Sequence, residues 1–201
     1  MSTIYSPRMV TDGLIYYIDP ANKNSYDGSS NIVNDLCSNY SASITAAFDS
    51  SNNGIFKFQN TNNGAINAIH KVDMNISSAP TPNYTINFYI NVPSLQPAQT
   101  FGGIIGTNNT SFNVVLNNNS QYGKVDIIHY YPSTGQDGQV VFGYDNFNFN
   151  TWYYISIVGA SIPRIYSNSI LQSTGNITLN SNVNYSYTHI GTAILNSDLC
   201  I

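Results

Sequence analysis

Any chemistry in this chain would have to come from ten carboxylates, three histidines, two cysteines and a large supply of Tyr, Ser, Thr and Asn. Glycoside hydrolysis needs a proton donor and a second carboxylate held about 5 to 9.5 Å apart. Every acidic residue here is an Asp, and no Glu occurs anywhere. Most of the Asp residues sit beside turn formers, as in Asp27-Gly28, Asp49-Ser50 and Asp137-Gly138. Hydrogen bonding to the local backbone accounts for them there. His70, His129 and His189 fall on three separate predicted strands, so a metal site or triad would need a tertiary coincidence. Asp126 and His129 are three apart on one predicted strand and so point to opposite faces. No Ser or Cys stands in a nucleophile-elbow pattern. Cys37 and Cys200 lack metal-type spacing and read as two small free hydrophobes, with a single disulfide as the alternative. The expectation is a non-enzyme with no catalytic residues, no metal and no cofactor.

Binding is better supplied. Sugar sites stack an aromatic ring on the apolar side of a pyranose and surround it with Asn, Asp and backbone hydrogen bonds. Tyr130 and Tyr131 run into the loop from Pro132 to Gly138, which holds Asp137, while Asp145, Asn146, Asn148 and Asn150 precede Trp152. The two loops are candidates for one Tyr, Asp and Asn rim. The competing reading is that strand tyrosines pack with their hydroxyls at the surface and that Asn-rich loops follow from composition alone.

The elements that must position these residues are strands. Helix faces are filled by straight-chain residues that lose little rotamer freedom there, and a Glu-free, Lys-poor chain of 201 residues with 8% charge has little such material. Strict alternation is clearest from Tyr84 to Val92, with Tyr84, Ile86, Phe88, Ile90 and Val92 on one side and Thr85, Asn87, Tyr89 and Asn91 on the other. Similar runs lie at Leu14 to Ile18, Ile55 to Phe58, Ala65 to Val72, Gly103 to Ile105, Phe112 to Leu116, Lys124 to Tyr130, Val140 to Tyr144, Trp152 to Val158, Arg164 to Tyr166, Ile170 to Gln172, Asn176 to Leu179 and Tyr187 to Ile190. Turn formers separate them at Asp27-Gly28, Asn53-Gly54, Asn63-Gly64, Asn117 to Ser120, Gly135 to Gly138 and Ser167 to Ser169. A chain with this many short strands should close its edges as a two-sheet antiparallel β-sandwich, a jelly roll being the natural form. Residues 1–10 read as an N-terminal arm and 11–201 as one domain.

A net charge of −4, with six scattered basic residues, leaves no surface to neutralise phosphates, so nucleic acid is not expected as a partner. No stretch approaches the roughly 18 to 20 apolar residues that span a bilayer, and no secretory signal is read, so no membrane partner is expected either.

From Ser6 the chain reads SPRMVTDGLIYYIDPANKNSYDGSS, NDLCSNYSASI, FDSSNNGIFKFQNTNNGAI, YTINFYINV, WYYISIV, RIYSNSIL and HIGT. This succession resembles the concanavalin A-like lectin and glucanase superfamily in its laminin-G-like form. The opening Ser-Pro-Arg-x-Val-x-Asp-Gly-Leu is similar to a version common among tailed-bacteriophage virion proteins. The resemblance implies a non-enzymatic virion structural or decoration protein, capsid or tail-fibre associated and assembled in the host cytoplasm. A carbohydrate-binding adhesin is the alternative. It also implies that Trp152 lies in the core. The glucanase branch carries a Glu-x-Asp-x-x-Glu strand that this chain has no Glu to fill.

The chain departs from the family pattern in three places. Gln59, Asn60 and Asn63 stand where acidic residues are common, which removes the carboxylates a calcium ion would need. Ser169 replaces the Gly of an Ile-Tyr-x-Asn-Gly hairpin, which should alter the turn type. Only Ala193 to Ile201 follows Ile190-Gly191, so the closing strand reads as shortened or missing. The edge it leaves is expected to take a strand from an identical subunit or another virion protein, with a glycan as a further partner.

Overall fold

The computed structural model describes residues 13–14, 16–37, 40–50, 54–57, 72–74, 84–92, 101–106, 113–119, 124–132, 137–143, 148–175 and 189–190. The expected arm, the closing segment, the Asn63-Gly64 turn, the 59–63 rim, His70 and the runs at 65–71 and 176–179 lie outside the described residues.

Among the described residues the chain is all-β and contains no helix. The strands are β1 (Ile32–Asn34), β2 (Ser41–Ile44), β3 (Ala47–Asp49), β4 (Ile55–Lys57), β5 (Val72–Asp73), β6 (Tyr84–Asn91), β7 (Phe101–Gly106), β8 (Asn113–Asn119), β9 (Lys124–Pro132), β10 (Asp137–Gly143), β11 (Trp152–Gly159), β12 (Arg164–Ser167), β13 (Ile170–Thr174) and β14 (His189–Ile190). They form an eight-stranded sheet in the order β1-β2-β5-β14-β7-β8-β9-β10, a four-stranded sheet in the order β13-β12-β11-β6, and the β3–β4 hairpin. The pairings are antiparallel throughout, for instance β6 with β11, β8 with β9 and β2 with β5.

Alternation decides which side chains go inside. Along β11, Tyr153, Ile155, Ile157 and Gly159 are buried while Trp152 is exposed. β6 follows the alternation read from its sequence, with Tyr84 and Ile90 buried and Thr85, Asn87 and Tyr89 exposed. One cluster of buried residues takes Val33, Ala42, Ile44, Val72, Ile104, Val114 and Ile127 from the larger sheet. It takes Tyr84, Ile90, Tyr153, Ile155, Ile157 and Ile165 from the smaller. The β3–β4 hairpin joins through aromatic edges: Tyr26 lies 5.1 Å from both Phe48 and Phe56, centroid to centroid, in T-shaped contacts. The Lys57 ammonium pairs with Asp49 across that hairpin.

At their margins the two sheets also meet through a hydrogen bond, the Val141 N–H of β10 donating to Ser173 Oγ of β13 at 3.3 Å. This occupies a donor on a strand with a sheet partner on only one side among the described residues, a group that would otherwise invite pairing with another chain.

Several expectations are corrected. The described residues of the Leu14 to Ile18 run, 14 and 16–18, are in no ladder; Tyr16 and Ile18 nonetheless pack against the core. β8 continues through Asn119, so its turn begins later than the Asn run suggests. β1, β2 and β3 were invisible to alternation because three or four residues, partly Ser, Ala and Asn, are too short to show a period. The β12–β13 turn keeps its left-handed form in spite of Ser169: Asn168 has φ 49° and Ser169 φ 68°. Positive φ at both central residues is the pattern of a type I′ turn. Asn168 anchors it, accepting the Tyr154 N–H on Oδ1 at 3.0 Å and donating its own N–H to the Tyr154 carbonyl at 2.8 Å.

Candidate functional site

The loops singled out from sequence are placed by the β9–β10 hairpin. Asp137 stands opposite Pro132 and Gly138 opposite Tyr131, with Gln139 opposite Tyr130, so the backbones of Tyr130, Tyr131 and Asp137 gather at one end of this strand pair. Their side chains lie outside what is described, as do Asp145 and Asn146 altogether. β10 runs from Asp137 to Gly143, about 20 Å of extended chain at 3.3 Å per residue. Pro132 and Asp137 therefore lie at one end of β10 and Gly143 at the other. Asn148 is exposed, and its N–H donates to the Tyr153 hydroxyl at 2.8 Å. That bond gives a buried tyrosine its polar partner.

The aromatic residues that the described structure gathers lie elsewhere, on the outward face of β6 and β11. Tyr89 and Tyr154 are directly opposite in the register, and their rings stand 5.0 Å apart at 43°. Tyr89 is 66% exposed and Trp152, two residues before Tyr154 on the same face, is 43% exposed. Trp152 is thus a surface residue, against the core position implied by the resemblance. The cause is the register: burying Tyr153, Ile155 and Ile157 turns Trp152, Tyr154 and Ser156 outward. In the opening segment the Tyr17 hydroxyl donates to Asp19 Oδ2 at 3.4 Å. Burial pushes the Tyr17 phenol above its usual value, and the nearby charges of Asp19, Cys37 and Tyr89 add to the rise.

The chain from residue 16 to 37 is held by polar groups. The buried Asp35 accepts the N–H groups of Tyr17 at 2.8 Å and Cys37 at 3.0 Å on one oxygen, and the Leu36 N–H donates to the Tyr17 carbonyl at 2.8 Å. Ser25, fully buried, accepts from the Asp19 N–H and donates to the Asn34 carbonyl through its hydroxyl. The Asn22 carbonyl accepts from the N–H groups of Ser25 and Tyr26. Asp27 Oδ1 takes the N–H groups of Ser29 and Ser30, which hold its carboxyl below the usual carboxylate range. These bonds occupy Asp19, Asp27 and Asp35 with structure.

Cys37 carries a free thiol whose pKa is raised by burial first and by Asp35 next. Cys200 lies outside the described residues. Among the described residues no group of three or more His, Cys, Asp or Glu is arranged to hold a metal ion. No protein-family model matches the chain, and no curated protein matches it.

The outward aromatic set lies on strands, away from the Asn-rich loops that residue type marks as a binding rim. Its signal was present in the alternation itself: Tyr89 is a large aromatic among the polar residues of the Tyr84 to Val92 run.

Proposed function

We propose that this chain is a non-enzymatic structural or decoration protein of a virion, with its two sheets stacked as a laminin-G-like β-sandwich of the jelly-roll kind. The observation that carries the reading is the unit formed by Asp19, Asn22, Asp35 and Leu36. These residues belong to the first two segments quoted for the resemblance and are scattered over 18 residues of sequence, yet they join through Tyr17, Ser25 and Asn34 into one hydrogen-bonded network. Such a shared structural cause supports reading their order as a family pattern. The cluster of buried residues drawn from both sheets supports the sandwich. A mass-spectrometric inventory of purified particles tests the role: the protein is expected at fixed stoichiometry in capsids or tails, and its absence from particles would overturn the reading.

A second reading, a carbohydrate-binding adhesin, is favoured by the outward aromatic residues Tyr89, Tyr154 and Trp152. Its test is saturable binding on a glycan array.

A further inference from the structure

We infer that the outward face of the β6–β11 strand pair is a platform for a neutral pyranose chain, with Tyr89 and Trp152 as the rings on which sugar faces stack; this rests on the adhesin reading and gives it a different location from the loops. Three observations carry it. Two of the rings are set against each other on an anchored strand: Tyr89 packs against Tyr154 at 5.0 Å, and Asn168 binds the Tyr154 backbone at its N–H and carbonyl. A platform that is already ordered costs little side-chain entropy on binding.

The spacing also suits an extended chain. Trp152 and Tyr154 are alternate residues of one strand, about 7 Å apart, and Tyr89 is the direct cross-strand partner of Tyr154. Successive rings can therefore meet successive sugar units rather than crowd a single one.

Charge selects the ligand class. By register, β6 places Thr85, Asn87, Tyr89 and Asn91 on this face and β11 places Trp152, Tyr154, Ser156 and Val158 there. None of these is ionised at neutral pH, and the exposed Arg164 of β12 stands opposite Val158, six residues along β11 from Trp152. Around Tyr89 and Trp152 the two strands therefore offer a charged partner no counter-charge, whereas hydroxyl groups would meet amides and hydroxyls that both donate and accept. A neutral, hydroxyl-rich ring with one apolar side matches all of it.

The test is an NMR titration of the full chain with hexamers of glucose, galactose, mannose and N-acetylglucosamine. At least one should bind saturably, shifting the Tyr89, Tyr154 and Trp152 signals. Tyr89→Ala and Trp152→Ala should each weaken that binding about tenfold. Tyr89→Phe should retain most of it, since the ring remains. Both positions are exposed, and unchanged circular dichroism confirms that each variant folds. Saturable binding that survives Tyr89→Ala but is lost in Tyr131→Ala overturns this inference and leaves the adhesin reading standing. Binding of none of the hexamers sinks both. Concentration-dependent self-association abolished by Tyr89→Ala would assign the face to a second copy of the chain and overturn the proposal.

Discussion

Residues 16–37 and the β6–β11 pair are ordered by opposite means. The strand pair is organised by side-chain alternation: eight consecutive register positions, from Trp152 opposite Asn91 to Gly159 opposite Tyr84, with apolar groups on one face. The opening segment forms a ladder nowhere before β1. Its backbone is instead satisfied by Asp35, Ser25, Asp19 and Asp27, each accepting backbone N–H groups at specific points. Apolar burial is spread over many interchangeable contacts, so losing one weakens the whole in proportion. A polar hub concentrates its effect, because removing it strands several donors at once.

The apolar side of the comparison breaks most severely at Ile157, which is fully buried on β11. Ile157→Ala should destabilise the protein by about 3 to 4 kcal/mol through lost transfer energy and the cavity left behind. Chemical denaturation with two spectroscopic probes measures this. Gly159→Ala belongs in the same range for the reverse reason. Gly159 is opposite Tyr84, and an added methyl would run into the Tyr84 ring.

The polar side breaks at Asp35. Asp35→Ala should cost about 2 to 3 kcal/mol, since it leaves the Tyr17 and Cys37 N–H groups without their acceptor. Hydrogen exchange sharpens the contrast. Asp35→Ala should raise exchange at residues 16–37 more than in β11, whereas Ile157→Ala should act on both sheets. Equal loss of protection everywhere in the Asp35 variant would show that the segment is not a separate unit of order.

The same division explains what could be read in advance. Period-two alternation marks buried strands such as β6 and β11, so their limits, the all-β class and the inward set were legible. Asp35 gave no such signal, because a carboxylate accepting two N–H groups from residues 18 and 2 positions away has no characteristic spacing. Trp152 shows a subtler failure. The resemblance implied the core, but the alternation of Tyr153, Ile155 and Ile157 already required it to point outward. Where resemblance and register disagreed, register decided.

Tyr16 tests a boundary between the two regimes, since it packs against the core yet its hydroxyl is buried with no hydrogen-bond partner among the described residues. Tyr16→Phe should therefore raise stability by up to about 1 kcal/mol near neutral pH. Burial, and secondarily the Asp35 charge, holds the Tyr16 phenol above its usual value of 10.0. A folded-state pKa above the unfolded one means that this contribution is intact below pH 10 and lost as pH rises toward the folded value. Melting temperature should thus fall more steeply above pH 10 in the parent than in Tyr16→Phe. Parallel curves would place the alkaline loss on other tyrosines.

The smallest effect concerns the turn that anchors the aromatic platform. Ser169 has φ 68°, a left-handed conformation that costs a residue with a Cβ roughly 1 kcal/mol relative to Gly. Asn168 tolerates its own positive φ because its side chain is used, accepting the Tyr154 N–H. No corresponding bond is described for the Ser169 side chain. Ser169→Gly should then relieve strain in the folded state while adding freedom to the unfolded chain, for a net gain of about 0.5 kcal/mol. The gain should appear as slower local opening of Tyr154 and Asn168 in hydrogen exchange, with β1 to β5 unaffected. A net loss would mean that Ser169 stabilises the turn by a contact that outweighs its backbone cost. In that case the hairpin beneath Tyr154 would belong with the polar-hub regime of residues 16–37 rather than with the strand pair it adjoins.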